Sequence, residues 1–214
     1  IVMSAEKLST AIRREQIVMS ALTIIADQGL KGLSMAGIAR RIGVVPSALY
    51  RHFKGKEEVI DASLNLIEKW LMGNIKAVHA ESLDSVQRLR LLLRRHLRLI
   101  RETRAIPRII FSENVYEGHH QRKARVYSLI NEYLQKVSEI VRIGQHEGRI
   151  RSDVDPAVIS LMFLGLIQPA ALLWHITDGG YDITKYAEKA WQIFMEAIRG
   201  KDEAAVSEKA AALH

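Results

Sequence analysis

The sequence contains no cysteine, which excludes disulfide staples, thiol nucleophiles and thiolate metal sites together. Ile1-Val2-Met3-Ser4 is not a basic segment followed by a long apolar run, so the pattern of a secretory signal peptide is missing and a cytoplasmic location is expected. No stretch of useful length alternates apolar and polar residues with the period of two that marks a half-buried strand, and no internal repeat stands out. Catalytic signatures are missing as well: there is no G-x-S-x-G elbow, H-E-x-x-H zinc helix, phosphate loop or dinucleotide fingerprint. His119 and His120 are adjacent, so they do not share a helix face as ligands four residues apart do. Glu113 and Glu117 nearby keep a metal site open as an alternative, but no metal and no cofactor is assigned.

What is present is a chain of 214 residues, 48% hydrophobic and 26% charged, long enough to bury well over half of the surface its extended form exposes. Lys and Arg number 31 against 24 Asp and Glu, a net charge of +7. Residues 1–56 hold nine basic and three acidic side chains, whereas the other 158 hold 22 and 21. Positive charge confined to a short segment points to a dedicated phosphate-binding module rather than to a generally basic surface, with a basic tail of no consequence as the alternative.

Apolar periodicity divides that segment into three helices. Leu8 to Gln28 places Ile12, Ile17, Ala21, Ile24 and Ile25 on one face, with Ser9 or Thr10 as cap and Gly29 as stop. A run from Met35 to Ile42 follows, capped by Ser34 and stopped by Gly43, and Pro46 opens a third helix expected to reach Phe53. The two short helices are too brief to survive alone, so they must share a core of Ile24, Leu33, Ile38, Ala39, Val44, Leu49 and Phe53. Two helices crossing through a glycine-containing turn outline a helix-turn-helix.

The remainder is helical too. A helix with Glu57 and Glu58 in its first turn runs to about Val78, then Leu83 to Thr103, a piece from Arg108 to Asn114 after an interruption at Pro107, and Gln121 to Glu147. Asp155-Pro156 opens the next helix, and a last one spans Thr184 to Ile198. Val158 to Ile176 carries no acidic residue, Lys or Arg and is long enough to cross a membrane, but Gln168, Pro169 and His175 favour one buried helix and no membrane partner. Its Leu161, Leu164 and Leu172, with Ala187, Ala190, Trp191, Phe194, Met195 and Ile198 of the last helix, form stripes suited to a four-helix homodimer interface under a two-fold axis. A monomer that spends the same stripes on its own core is the alternative. The expected organisation is all-α: a head over 8–56, a helical effector-binding and dimerisation domain over 57–200, and a flexible tail over 201–214.

The segment from Ser34 to Val59, read through Ile38, Ala39, Gly43, Val44, Leu49, Tyr50, His52, Phe53 and Lys56, closely resembles the DNA-binding module of the TetR family of bacterial transcriptional repressors. With Gly29 and Leu33 the resemblance covers roughly residues 12–60. It implies a dimer that binds a palindromic operator and leaves it when a small molecule occupies the second domain. It places Ser34 at a phosphate, Tyr50, His52 and Lys56 at backbone-contacting positions, and Pro46, Ser47, Ala48 and Arg51 in the recognition helix. Val45 departs from the usual Ser or Thr, and Gly37 from a frequent acidic residue, so Ser34 lacks a reciprocal capping partner.

Physical chemistry gives the same residues work. Arg51 suits bidentate pairing with guanine N7 and O6, Ser47 a base edge or a phosphate, and Ala48 a thymine methyl, with ordinary surface placement as the alternative for each. Arg13 and Arg14 add phosphate contacts with Lys56. Phe111, Val115, Tyr116, Tyr127, Ile130, Leu134, Phe163, Ile167, Trp174 and His175 are candidates to line an effector cavity, with plain core as the alternative for each. The aliphatic content favours a hydrophobic effector, a fatty acid, acyl thioester or aromatic compound, and Arg108 is a candidate for its acidic group. A helical adaptor and a helical enzyme remain the competing classes.

Overall fold

The computed structural model describes residues 5–81 and 83–200; the expected flexible tail lies outside them. Among these residues the secondary structure is helical apart from one isolated bridge between Ile150 and Arg199, as an all-α chain requires. Two compact units emerge. One joins the residues up to Lys69 with Ile100–Val126, and the other joins Trp70–Leu99 with the residues from Tyr127 on.

The first unit begins with α1 (Ala5–Gln28), a 3-10 turn (Leu30–Gly32), α2 (Met35–Ile42) and α3 (Pro46–Leu49). α1 starts a turn earlier than expected, which leaves Ser9 and Thr10 inside the helix rather than capping it. Ile12 is 51% exposed, while Ile17, Ala21, Ile24 and Ile25 form the buried face. Ser34 caps α2 by accepting a hydrogen bond from the Gly37 amide at 3.0 Å. Gly43 ends α2 at φ +73°, and the Val44 amide returns to the Ala39 carbonyl at 3.0 Å. α3 is shorter than the expected run to Phe53, but its turn carries on: both His52 and Phe53 donate to the Leu49 carbonyl. Ile38, Leu49 and Phe53 are buried with Ile17 and Ile25, and each such side chain contributes roughly 1.5–3 kcal/mol on leaving water.

The same unit takes in the first part of α4 (Lys56–Ala80), the end of α5 (Ser85–Glu102), α6 (Ala105–Ile110), α7 (Glu113–Tyr116) and the start of α8 (His120–His146). Pro107 does not interrupt a helix. It sits in the first turn of α6, where its missing N–H has no intrahelical partner to lose, and the expected piece from Arg108 to Asn114 is two short helices instead. α6 packs on α1 with Ala105, Ile106 and Ile109 buried.

In the second unit α9 (Pro156–Gly165), α10 (Gln168–Ile176) and α11 (Ile183–Ile198) pack on one another, with the Phe194 ring 6.1 Å from Phe163 and 5.8 Å from Trp191. The apolar run expected as one buried helix is therefore two. Pro169 cannot donate to the Gly165 carbonyl, and its ring would clash there, so the chain breaks at Leu166 and Ile167. Asp155 and Asp182 cap α9 and α11 through their carboxylates. A Cβ on Gly144 would lie 2.5 Å from Ile150 Cδ1 and 2.6 Å from Ser85 Oγ, so only glycine lets α8 approach the start of α5.

Nothing lies within 4 Å of a Cβ built on Gly43, so the cost of Gly43→Ala is conformational alone. The substitution is expected to lower unfolding free energy by about 1 kcal/mol; an unchanged urea midpoint would contradict the left-handed cap.

Candidate nucleic-acid interface and effector-domain sites

Val45 precedes α3 without a side-chain cap, and Pro46 starts the helix with a preset φ. Because Leu49 faces the core, the residues around it turn outward: Pro46, Ser47, Tyr50 and Arg51 are exposed, and Ala48 and His52 are half-buried. Ser34 and Arg13 are exposed as well, and Lys56 is half-buried at the first position of α4.

Arg14, expected at a phosphate, also has partners within its own chain. Its guanidinium lies 4.0 Å from the centre of the Phe53 ring, donates to the His52 carbonyl and sits 3.6 Å from Glu58 Oε1. Glu58 also accepts from the Lys54 amide at 2.7 Å, so Arg14 and Glu58 brace the turn after α3. His52 is held below its ordinary pKa by burial first, then by Arg51, Arg14 and Arg13, and its Nδ1 is buried without a hydrogen-bond partner. A neighbouring phosphate would offset those three positive charges.

Sequence reading missed a second feature of this unit. Glu57, Asp61 and Glu68 fall within about 40° of one another around α4, since residues four and eleven apart share a helix face. They meet His119, Arg122 and Arg125. Arg122 is only 3% exposed; it donates from Nε to Asp61 at 2.7 Å, from both terminal nitrogens to Glu57 at 3.2 Å, and to the carbonyls of Val115 at 3.1 Å and Glu57 at 3.4 Å. Burial works against its charge, but the bonds and charges of Asp61 and Glu57 outweigh that and raise its pKa. Arg125 adds a 2.6 Å contact with Glu68. The spacing of acids and bases was visible in the sequence, but nothing there pairs the two stripes.

The residues expected to line an effector cavity divide between the units. Arg108, Phe111, Val115 and Tyr116 belong to the first; Tyr127, Ile130, Leu134, Phe163, Ile167, Trp174 and His175 belong to the second. Arg108 lies beside Gly29 at the end of α1. Tyr116 donates to the Ile110 carbonyl at 2.9 Å, and burial raises its pKa. Val115, Phe163 and Ile167 are fully buried; Phe111 is exposed, and Tyr127 is exposed by 67%. Ile130, Leu134, Trp174 and His175 are half-buried. A polar pair not expected from the sequence lies in the core of the second unit: His96 Nδ1 is 2.9 Å from the Tyr133 hydroxyl, with the rings edge to face. Burial pushes the Tyr133 phenol up and the His96 imidazole down to about 4.

Of the residues expected at a subunit interface, Leu164, Ala187, Trp191, Phe194 and Ile198 are buried within their own chain, Ala190 and Met195 are half-buried, and Leu161 and Leu172 are exposed. Leu161 at 60% and Ile193 at 69% stand out among exposed apolar side chains that also include Val158, Met162, Leu173 and Ile176. An open groove of about 720 Å³ runs between α9 and α11, with Met162, Leu166, Tyr186, Ala190, Ile193 and Phe194 in its walls. None of the expected effector residues lines it. Among the described residues, no group of three or more His, Asp or Glu is placed to hold a metal ion.

A basic three-helix head that turns a short helix outward after a glycine stop is the architecture of a helix-turn-helix regulatory protein. Residues 17–63 match the bacterial regulatory proteins of the tetR family, and residues 82–198 match the tetracyclin repressor-like C-terminal domain. The chain belongs to the TetR family. It is 23% identical to the nucleoid occlusion factor SlmA of Vibrio vulnificus, over 87% of this chain and 96% of that protein. Its fold is similar to the fatty acid degradation regulator FadR of Bacillus halodurans, with a TM-score of 0.74 at 20% identity over 86% and 94% of the two chains. It is also similar to FadR of Bacillus subtilis solved in complex with stearoyl-CoA, with a TM-score of 0.71 at 19% identity over 85% and 97%.

His96 stays neutral in the folded chain down to about pH 4, whereas its ordinary value of 6.5 lets the unfolded chain take up a proton first. Falling pH therefore favours unfolding across that interval, by up to about 3 kcal/mol. Urea unfolding of the wild type and His96→Leu at several pH values should show this loss in the wild type alone; parallel pH profiles would contradict it.

Proposed function

We propose that the chain is a ligand-responsive transcriptional repressor that binds a palindromic operator as a homodimer and is released by a small hydrophobic effector. The observation that carries this reading is the outward presentation of Ser47, Tyr50 and Arg51 around a recognition helix whose Leu49 is locked in the core. Arg51 reads guanine and Ser47 an edge or a phosphate, while Ala48 offers its methyl to thymine. Ser34, Tyr50, His52, Lys56 and Arg13 hold phosphates and set the register.

The exposed apolar side chains of α9, α10 and α11 support the dimer, since a patch of this kind is unusual on a monomer. Met162 and Ile193 belong both to this patch and to the groove between α9 and α11, so the groove is assigned to the subunit contact. A two-fold axis there pairs two heads, which must meet major grooves one helical turn, roughly 34–36 Å, apart. The effector class follows from the aliphatic content and from the stearoyl-CoA carried by the FadR relative. An effector acts by preferring a different arrangement of the helices that lead to the heads.

Titration at several salt concentrations tests the DNA reading. With roughly 6–10 phosphate contacts per dimer, affinity should drop by about three to five orders of magnitude between about 50 and 200 mM salt. Arg51→Ala should cost about 1–3 kcal/mol on the preferred site and relax selectivity at one base pair; a uniform loss over all sequences would remove Arg51 from base reading. A panel of fatty acids, acyl thioesters and aromatic compounds should contain one that releases the DNA, and failure of all three classes would contradict the hydrophobic effector.

A further inference from the structure

Arg122 has five N–H donors, and the five hydrogen bonds to Asp61, Glu57 and Val115 use them all. A guanidinium this buried and this fully engaged holds its partners in one geometry, because releasing any of them leaves one of its N–H donors unsatisfied away from water. One of its two carboxylate partners, Glu57, is the sequence neighbour of Glu58. Adjacent residues on a helix diverge by about 100°, so the two glutamates grip in different directions from one turn of α4. Glu57 reaches Arg122 of α8, and Glu58 reaches Arg14 and the Lys54 amide. Arg14 in turn lies on Phe53 and donates to the His52 carbonyl. A chain of contacts thus runs from α8 to the turn that carries Tyr50, Arg51 and His52: the hydrogen bonds of Arg122 to Glu57, the helix backbone from Glu57 to Glu58, the hydrogen bond from the Lys54 amide to Glu58, and the 3.6 Å ion pair of Glu58 with Arg14.

We propose that Arg122 is a positioning residue for DNA recognition: held by Glu57 and Asp61, it fixes the first turn of α4, and through Glu58 and Arg14 the turn after the recognition helix. This rests on the reading of the head as an operator-binding module. Arg122 touches no DNA in this account. Its effect is preorganisation: a first turn free to shift must be ordered on binding, and that entropy comes out of specific affinity. Binding through phosphates alone tolerates a looser head, so non-specific affinity is spared.

The test uses the full chain and the site that it selects from random-sequence duplex DNA. Glu57→Gln and Arg122→Gln should each weaken binding to the selected site about tenfold, with binding to unselected duplex at low salt held within about twofold. The double variant should lose no more than Arg122→Gln alone, since both remove one connection. Arg125→Gln breaks the neighbouring contact with Glu68, which lies beyond the first turn, and should leave the selected-site affinity within about twofold. Folded variants that bind the selected site as the wild type does overturn the proposal, as does a loss shared equally by selected and unselected DNA or by Arg125→Gln. Should Arg122→Gln fail to fold, Glu57→Gln decides, because that carboxylate is 52% exposed and Asp61 remains to hold Arg122. A wild type that selects no site overturns the operator reading and the positioning role together, whereas a selective wild type with equally selective variants overturns the positioning role alone.

Discussion

The helix-turn-helix head depends on the burial of Leu49 and Phe53. Helix α3 has four residues and α2 has eight, both far below the length at which a helix holds in water by itself. Their geometry is set by the core they share with Ile17, Ile25 and Ile38. The same burial decides which side chains face outward. With Leu49 inward, Ser47, Tyr50 and Arg51 have only solvent or a ligand to meet. Phe53 has a second part, since its ring is the platform on which Arg14 rests.

Electrostatics supplies the next layer. A surface ion pair contributes little, and Arg41 with Asp27 at 3.8 Å is of that kind. The contacts of Arg122 differ because the guanidinium is buried and every donor is used, so they fix geometry rather than merely add attraction. The acidic face of α4 makes that helix part of the head over its first turns. Its pairs with Arg122 and Arg125 join α4 to the start of α8 within the first compact unit, which extends past Lys56 to Lys69, while α6 joins it by packing its apolar side chains on α1.

Much of the head was legible in the sequence because its signals are local. Ser34 as cap, Gly43 as left-handed stop and Pro46 as first helical residue each act within a few residues, and each stands where the periodicity places it. Long-range choices were not legible. Arg14 reads as one more basic residue on a wet helix face, and nothing in α1 announces Phe53 or Glu58 as its partners. Leu164, Trp191 and Phe194 have the periodicity of an interface, but periodicity does not say whether a stripe meets its own chain or another; here they fill their own core and leave Leu161 and Ile193 outside. The break at Pro169 was a local signal outweighed by the apolarity around it. His96 and Tyr133 carried no signal at all, because a polar pair that satisfies itself looks like two isolated residues in two helices.

The central claim is that the outward face of the head reads a specific DNA sequence. Selection from sheared bacterial genomic DNA, with the bound species sized in the same experiment, tests it most directly. The account predicts recovery of a short palindrome bound by a dimer. A properly folded protein that recovers only weak, sequence-independent binding would contradict it.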